Sequence, residues 1–489
     1  MDINLTALAA LFSFNFALLI DTALKILALI VIPNNRKPSA ATAWLLAIFF
    51  IPLVGWPLFI ILGKSDLARP RKKRQDQVTN NFKLVYKNRA KTLSLSKSFN
   101  SIASLNHNLS KLPLVKATKF KLISDYDEFF NSLIKDIKKA KNSIWFEFYI
   151  VSYDQTTAEL LGELAVASKR GVKVRILFDH LGSWMYPGYK DFITFCTQNN
   201  IEFYKMQPIK LFNSRYFERP DLRNHRKLMV IDGKVGYMGS QNIIDSSYNK
   251  RKNIKRNLKW RELNVRLEGE VVSQLQAVFA NDWYAETEEK LLNEINFKPT
   301  KTNVKSSFPA QILPSGPGYQ TDNNLRLFNS VIYAAKQKIV ITSPYFVPDE
   351  SMYMAITTAA RRGVEVILFV SAIKDQFLVY HAQRSYYERL MVAGVRIYMY
   401  KAPYVLHSKH VSVDDSMVVI GSSNMDIRSF ELNQEISLLA YNKKLVQQMT
   451  KVETKYMNNS KQLKLKEWQS RPYYEKVVDN LARLTSGLQ

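Results

Sequence analysis

The chain has 489 residues, 47% of them hydrophobic, which is enough for two domains of ordinary size with large cores. Its formal net charge of +27 indicates an anionic partner: nucleic acid, an anionic bilayer or a phosphate-bearing substrate. The single cysteine, Cys196, excludes an internal disulfide and a zinc site made of several cysteines.

Two apolar runs near the N-terminus predict two transmembrane helices within residues 1–64, at approximately 7–32 and 40–62. The second run carries no charge over more than the roughly 20 residues that a bilayer span needs. In the first run, Asp21 and Lys25 are four residues apart and can pair on one helical face. Basic residues follow the second run, so the positive-inside rule predicts a multi-pass protein of the cell membrane with a cytoplasmic catalytic body. Such an anchor favours lipid over nucleic acid as the partner.

The remainder of the chain repeats itself after a polar, basic segment at 65–114, which we interpret as a juxtamembrane linker. Helix and strand patterns alternate in both repeats, which predicts an α/β fold with two similar halves. We expect mixed, largely parallel sheets packed about a shared active site. The predicted halves are 115–285 and 309–489, with a connection at 286–308 and a basic helical tail at the C-terminus.

Each half carries the pattern H-x-K-x-x-x-x-D, followed by a strand-like run and G-S-x-N. The two copies are His225, Lys227 and Asp232 with Gly239-Ser-Gln-Asn242, and His407, Lys409 and Asp414 with Gly421-Ser-Ser-Asn424. Residues two apart in an extended strand point to the same face, so the histidine and lysine of each copy face one cleft. One copy could arise by chance in a surface loop. Two matching copies predict one site formed from both halves.

Two histidines and two lysines, without a cluster of acids or cysteines, suit displacement at a phosphodiester with no metal or cofactor. One histidine can attack phosphorus and form a phosphohistidine, while the other protonates the leaving alcohol and deprotonates the incoming one. The lysines, with Asn242 and Asn424, would stabilise the phosphoryl oxygens.

Four carboxylates have candidate supporting roles. Asp232 and Asp414 would orient or neutralise groups within each half. Glu262 and Glu435, which follow the two motifs, are candidates to hydrogen-bond a histidine and fix its tautomer.

These motifs resemble those of the phospholipase D superfamily, and the wider pattern is similar to bacterial cardiolipin synthases. The shared features are the two N-terminal runs, N-R-K-P-S at 35–39, T-A-W-L-L at 42–46, R-N-H-R-K at 223–227, W-R-E at 260–262, D-W at 282–283, S-G-P at 315–317, P-Y-F-V-P at 344–348 and the segment 421–435. The resemblance implies that two phosphatidylglycerols are joined into cardiolipin with release of glycerol, on an anionic bilayer and without metal. It also implies that the six motif residues are catalytic. The habit of the superfamily favours His225 as the nucleophile, but the sequence itself does not decide between the two histidines. The family usually has Asp at the position of Glu262.

The motifs do not encode the acceptor, so other functions are open. Water as acceptor gives a phospholipase D, and another alcohol gives a headgroup-exchange enzyme. The charge of +27 would also suit a nuclease of the same superfamily, which the predicted membrane anchor disfavours. A catalytically inactive scaffold is disfavoured because all six motif residues are present. The oligomeric state does not follow from the sequence.

Overall fold

The structure is a computed structural model that describes residues 5–34, 36–63, 66–87, 93, 95–209, 218–297, 307–319 and 322–486. The chain divides into two compact units. The N-terminal unit comprises residues 1–65 and 219–221, and the main body comprises residues 66–218 and 222–489.

The N-terminal unit contains the helices α1 (Leu5–Val31), α2 (Pro38–Phe50) and α3 (Pro52–Leu62). The single helix expected over 40–62 is instead broken at Ile51, whose φ of −137° and ψ of 67° are not helical. Pro52 causes this break because it lacks an N–H and disfavours the helical conformation of the residue before it.

The helix α3 folds back on α2. A Cβ added to Gly55 would come within 2.8 Å of the α2 backbone, so only glycine permits this close approach. The Arg36 guanidinium, just before α2, donates a hydrogen bond to the carbonyl of Gly63, just after α3. These contacts make α2 and α3 a helical hairpin whose two ends are adjacent.

Apolar side chains form both the core and much of the surface of the N-terminal unit. The core contains Ala28, Ile32, Ala41, Ile48 and Phe59. The predicted pairing of Asp21 with Lys25 is confirmed, with 2.6 Å between the ammonium nitrogen and a carboxylate oxygen. Within the described ranges, no helix combines the length and the apolar composition that crossing a membrane requires.

The main body begins with two helices, α4 (Arg69–Lys87) and α5 (Lys97–Ser110), and continues with two matching sets of elements. The first set is β1 (Val115–Ile123), α6 (Tyr126–Ile137), β2 (Ser143–Phe148), α7 (Ala158–Lys169), β3 (Lys173–Asp179), α8 (His180–Trp184), α9 (Tyr189–Gln198), β4 (Glu202–Met206), β5 (Arg223–Asn224), β6 (Lys227–Ile231), β7 (Val235–Gly239), α10 (Arg251–Lys255), β8 (Lys259–Arg261), β9 (Asn264–Gly269) and α11 (Val271–Thr287), followed by a short 3-10 helix (Leu292–Glu294). The second set is β10 (Phe308–Ser315), α12 (Asn323–Ala334), β11 (Lys338–Thr342), β12 (Phe346–Val347), α13 (Glu350–Arg361), β13 (Glu365–Ser371), α14 (Phe377–Val392), β14 (Arg396–Tyr400), β15 (Tyr404–Leu406), β16 (His410–Val413), β17 (Met417–Gly421), β18 (Met425–Asp426), α15 (Ile427–Glu431), β19 (Asn433–Ala440), α16 (Lys443–Asn458), β20 (Ser460–Gln462), α17 (Leu465–Gln469) and α18 (Tyr473–Leu484).

Among the described residues, each half forms a sheet of seven strands in the same order. The strand order is β4-β3-β2-β6-β7-β9-β1 in the first half and β14-β13-β11-β16-β17-β19-β10 in the second. The two sheets join edge to edge through antiparallel pairing of β1 with β10, and β20 extends the far edge of the second. The duplication expected from the sequence is therefore confirmed, and in the described part of the chain the two halves share one continuous sheet.

The sheet is mixed, as expected, but the expectation that it is largely parallel is wrong. Parallel pairing occurs within β2-β3-β4 and β11-β13-β14, where helices connect successive strands. The strands that carry the motifs form hairpins instead, β6 with β7 and β16 with β17, and hairpins are antiparallel. The tight turns after β6 and β16 place Asp232 and Asp414 in the left-handed region, at φ of 52° and 49°.

The segment 65–114, which we interpreted as a linker, contributes α4 and α5. The helix α4 packs on α11, where Arg71 forms ion pairs with Glu218 and Glu286 and Arg74 donates to the carbonyl of Ala285 at 3.0 Å. The helix α5 packs on β10 and α12, and Gln311 donates to the carbonyl of Ala103 at 3.1 Å. Two of the basic residues after the apolar runs are thus bound by the main body.

Candidate active site

His225 is positioned by a strand of the other half. The short strand β5 pairs in parallel with the start of β19, and the His225 backbone N–H donates to the carbonyl of Gln434 at 2.8 Å. This pairing places His225 beside Glu435, with Nδ1 at 2.9 and 3.0 Å from the two carboxylate oxygens. His225 therefore takes its carboxylate partner from a residue 210 positions later in the chain.

His407 is positioned in the equivalent way, by a strand of the first half. The strand β15 pairs in parallel with β8, and the His407 backbone N–H donates to the carbonyl of Arg261 at 2.8 Å. Its Nδ1 lies 2.8 and 2.9 Å from the carboxylate oxygens of Glu262. Each histidine is thus bound by a glutamate of the opposite half, and the site exists only where the two halves meet.

The Gly-Ser of each G-S-x-N motif supports one of these glutamates. Ser240 donates to Glu262 and Ser422 donates to Glu435, in both cases with 2.5 Å between the oxygens. A Cβ added to Gly239 would come within 2.5 Å of the carbonyl of Leu263, and one added to Gly421 would come still closer to the backbone of β19. The glycines are therefore required for the close strand packing that brings each serine to its carboxylate.

The two motif lysines lie beside the histidines and are buried. The Lys227 ammonium donates to the carbonyl of His225, and that of Lys409 donates to the carbonyl of His407, both at 2.6 Å. Burial lowers the pKa of Lys227 to about 7 and that of Lys409 to about 8. An ammonium group has three N–H donors, so each lysine can bind a phosphate oxygen and keep this hydrogen bond.

The two histidine–glutamate pairs differ electrostatically. Burial, with the charges of Lys227 and Lys409, lowers the pKa of His225 well below its usual value, while burial raises the pKa of Glu435 to about 7. Burial also lowers the pKa of His407, although the charge of Glu262 opposes that shift. Burial alone would raise the pKa of Glu262, but His407, the charge of Lys409 and the hydrogen bond from Ser240 together outweigh burial and lower that pKa. Protonation is therefore harder for His225, whose Nδ1–H can be donated to the carboxylate while Nε2 keeps its lone pair.

The motif aspartates are not brought to this cluster. Asp232 lies at the other end of β6 from Lys227, and its carboxylate accepts backbone N–H groups of residues 141–143 at 2.9, 2.7 and 3.0 Å. Asp414 accepts those of residues 336–338 at 3.1, 2.8 and 2.9 Å. Asp232 fixes the turn that precedes β2, and Asp414 fixes the corresponding turn before β11. In the described ranges, no group of three or more His, Cys, Asp or Glu side chains could hold a metal ion.

The two motif asparagines differ in their contacts. Asn242 accepts from the backbone N–H of Ile150 at 3.1 Å and donates to the Tyr248 hydroxyl at 2.9 Å. That hydroxyl lies 3.4 Å from Glu262, so Asn242 supports the packing around the carboxylate. Asn424 is buried, and its amide oxygen has no hydrogen-bond partner among the described residues.

Several residues near the histidines were given no role in the site from the sequence, although Tyr345 and Arg226 lie in the quoted segments 344–348 and 223–227. The Tyr149 ring lies 4.9 Å from that of His225, and the Tyr345 ring lies 6.4 Å from that of His407. The two tyrosines follow corresponding strands, β2 and β11, so an alignment of the two repeats could have found them. Arg226 is fully buried, forms an ion pair with Asp282 and donates to the Glu435 carbonyl at 3.0 Å.

Comparison with known families decides the classification. The model of the family described as "Cardiolipin synthase, PLD-like domain" matches residues 133–283 and 329–455, which is more than half of the chain. This chain belongs to that family. A second family model, described as "Phospholipase_D-nuclease N-terminal", matches residues 23–64. The resemblance drawn from the motifs is therefore confirmed. The first family model matches one stretch within each half, and the second matches the end of α1 together with α2 and α3.

Relatives of the family align over nearly the whole chain. The cardiolipin synthase of Halalkalibacterium halodurans is 32% identical over 482 residues, covering 97% of this chain and 93% of that protein. Cardiolipin synthase A of Wigglesworthia glossinidia brevipalpis is 32% identical over 480 residues, covering 93% and 92%. The crystal structure of phosphatidylserine synthase from Haemophilus influenzae has the same fold, with a TM-score of 0.61 at 17% identity over 81% of this chain and 100% of that one.

Proposed function

We propose that this protein is a cardiolipin synthase, which transfers the phosphatidyl group of one phosphatidylglycerol to a second and releases glycerol. The observation that carries the proposal is the buried pair of histidines, each bound at Nδ1 by a glutamate of the opposite half. Two buried lysines beside them suit a phosphodiester anion as substrate. Family membership, and relatives named cardiolipin synthase over most of the chain, support the same reaction.

The first step forms a phosphatidyl-enzyme. Nε2 of His225 attacks the phosphorus of one phosphatidylglycerol, and the bond from phosphorus to the headgroup glycerol oxygen breaks. His407, with the ionised Glu262 beside it, donates its Nε2 proton to that oxygen, and glycerol leaves. Glu435 accepts the Nδ1–H of His225 and balances the positive charge that the ring acquires. The larger downward shift of the His225 pKa supports its assignment as the nucleophile.

The second step makes cardiolipin. The terminal hydroxyl of a second phosphatidylglycerol gives its proton to Nε2 of His407 and attacks the phosphorus. The bond from phosphorus to His225 breaks, which restores both histidines to their starting state. Lys227 and Lys409 bind the non-bridging oxygens through both steps, and the charge that develops there favours their protonated forms.

We further propose that the N-terminal unit attaches the enzyme to the cell membrane and that the main body lies on the cytoplasmic side. The exposed apolar surface of α2 and α3 and the basic residues that follow support this assignment. A two-pass arrangement would place Asn34, in the turn between α1 and α2, outside the cell. In the hairpin arrangement Arg36 lies next to Gly63, where the chain leads into the main body, so Asn34 would lie on the cytoplasmic side.

The deciding experiment supplies the purified full chain with phosphatidylglycerol alone in detergent micelles. We expect cardiolipin and free glycerol in equal amounts, with His407→Ala as the inactive control. Phosphatidic acid as the main product would identify a hydrolase and contradict the proposal.

A further inference from the structure

The C-terminal helix α18 exposes its apolar face. Tyr473, Val477, Leu481 and Leu484 recur at a spacing that puts them on one side of a helix, and Tyr474 adjoins them. Tyr473 is 81% exposed and Leu484 is 79% exposed. A surface helix of a globular protein ordinarily buries such a stripe against the core.

The face of α18 that packs on the protein carries Asp479 and the small side chain of Ala482. Asp479 is buried, and its carboxylate lies 2.7 Å from Nδ1 of His381 on α14. The same carboxylate accepts from Arg471 at 2.9 Å and from Arg384 on α14 at 3.3 Å. These interactions fix the rotation of the helix, so the outward stripe follows from its docking and not from loose packing.

A second pair of exposed apolar residues, at the start of α14, lies next to the active site. Phe377 and Leu378 are both exposed. Two residues before Phe377, Asp375 accepts a hydrogen bond from the Tyr345 hydroxyl at 2.5 Å. The Tyr345 ring lies 6.4 Å from that of His407, so Asp375 and Tyr345 connect this exposed pair to the site.

The first half contributes a matching pair. Trp184, at the end of α8, is 60% exposed, and Met185 after it is also exposed. The next residue, Tyr186, packs on Tyr248 with 5.7 Å between the ring centroids. The Tyr248 ring lies 6.4 Å from that of His407. Exposed apolar residues from both halves are therefore connected to the same histidine through neighbouring side chains.

Basic residues lie among these apolar groups. The Lys374 ammonium is 4.0 Å from the centroid of the Phe377 ring, and the Lys250 ammonium is 5.0 Å from that of Tyr186. Lys476 and Arg483 belong to α18 itself. Apolar side chains bordered by lysine and arginine are the composition that binds the interface of an anionic bilayer.

We propose that Trp184, Met185, Phe377, Leu378 and the apolar stripe of α18 form one membrane-contact surface, which seats the main body on an anionic bilayer with the entrance of the site in the headgroup layer. The inference rests on the proposed function. A phospholipid with two acyl chains stays in the bilayer, whereas His225 and His407 are buried, at 9% and 5% exposure. The headgroup can reach them only if the entrance of the site lies at the membrane.

The first test compares phosphatidylglycerol in vesicles with the same lipid in detergent micelles. We expect the double variant Leu481→Ser, Leu484→Ser to make cardiolipin at least tenfold more slowly from vesicles and within twofold of wild type from micelles. The matched control is Val166→Ser, Met354→Ser, at 47% and 52% exposure on α7 and α13, which should change neither rate. Equal loss in vesicles and micelles, or loss in neither, would overturn the proposal.

The second test does not depend on the reaction. The full chain in proteoliposomes receives phosphatidylglycerol with brominated acyl chains, and the fluorescence of Trp184 is taken as the difference between wild type and Trp184→Phe. We expect quenching of this difference signal, and its absence would overturn the proposal. If the micellar assay yields no cardiolipin, the proposed function fails while quenching still decides the surface. A lower sedimentation mass of the Leu481→Ser, Leu484→Ser variant in detergent would assign the stripe to a second copy of the chain and also overturn the proposal.

Discussion

Replacing Glu435 by glutamine tests whether the crossed carboxylate is part of the catalytic machinery. The substitution keeps the shape of the side chain but removes its charge and one of its two acceptor oxygens. In the wild type those oxygens bind His225 at 2.9 and 3.0 Å and also accept from Ser422. The amide must turn its NH2 group towards one of these partners. If it faces His225, Nδ1 becomes the acceptor and the proton moves to Nε2, which loses the lone pair that attacks phosphorus.

The expected magnitude follows from these contacts. A hydrogen bond to a charged group contributes about 1.5–3 kcal/mol, and the unfavourable tautomer adds to that loss. The negative charge of Glu435 is also the strongest influence that keeps the Lys227 ammonium protonated against burial. Together these losses raise the barrier by about 3–5 kcal/mol, which is roughly a 10²- to 10⁴-fold fall in kcat.

The assay measures both turnover and the covalent step. Glu435→Gln should block labelling of the enzyme by a phosphatidyl donor with p-nitrophenol as leaving group, because its partner His225 is the proposed nucleophile. Glu262→Gln should abolish cardiolipin formation but retain slow labelling, since that leaving group needs no proton. Glu453→Gln is the matched control: Glu453 is buried, accepts from Ser412 and lies 3.2 Å from His410, outside the site. The reasoning is refuted if Glu435→Gln stays within tenfold of wild type or if Glu453→Gln loses as much.

Four further outcomes are expected. His225→Ala and His407→Ala should both abolish cardiolipin formation, and only His407→Ala should retain labelling by the p-nitrophenyl donor; labelling in both would contradict a unique histidine nucleophile. The kcat/KM for micellar phosphatidylglycerol should fall as the pH rises above about 7, because Lys227 and Lys409 lose their charge as the pH passes their lowered pKa values in the free enzyme. A flat profile from pH 7 to 9 would exclude a charged lysine as the required form. Asp232→Asn should reduce the unfolding free energy, measured by thermal unfolding, by about 2–3 kcal/mol, because three backbone N–H groups lose a charged acceptor. The kcat of the folded enzyme should stay within a few fold of wild type, and a larger loss of kcat would indicate a direct catalytic role for Asp232. A cysteine at Asn34 should resist an impermeant thiol reagent in intact cells and react after permeabilisation, because the two ends of the α2–α3 hairpin are adjacent. The native Cys196 is buried and should not contribute to the signal. Reaction in intact cells would support the two-pass arrangement.

The repeat made much of the main body predictable from the sequence. Two copies of one motif indicated two similar halves and one shared cluster, and strand alternation placed His225 with Lys227 and His407 with Lys409. The motif aspartates followed equally clearly from the pattern, but their role did not. A spacing of five residues from the lysine is the length of a strand, which carries Asp232 to the far end of β6.

The partner of each histidine could not be read from local patterns. Glu262 and Glu435 were candidates, but the pairing of β5 with β19 brings together residues 210 positions apart. The strand β5 has only two residues, so it carries no propensity signal from which this pairing could be predicted. The antiparallel content was also underestimated, because helix-strand alternation dominates the first part of each half and the hairpins follow later. The break at Ile51 was visible in principle, since Pro52 stands in the middle of the apolar run.

The crossed carboxylates also affect when activity can begin during translation. When the ribosome has completed the first half, His225 is present but Glu435 is not, and Glu262 has no histidine to bind. A nascent chain that ends after the first half therefore lacks the carboxylate partner of His225. Activity begins only after β19 has been synthesised and paired, so ribosome-bound chains that stop before residue 435 should form no phosphatidyl-enzyme. The fold thereby withholds the complete site until most of the chain has been made.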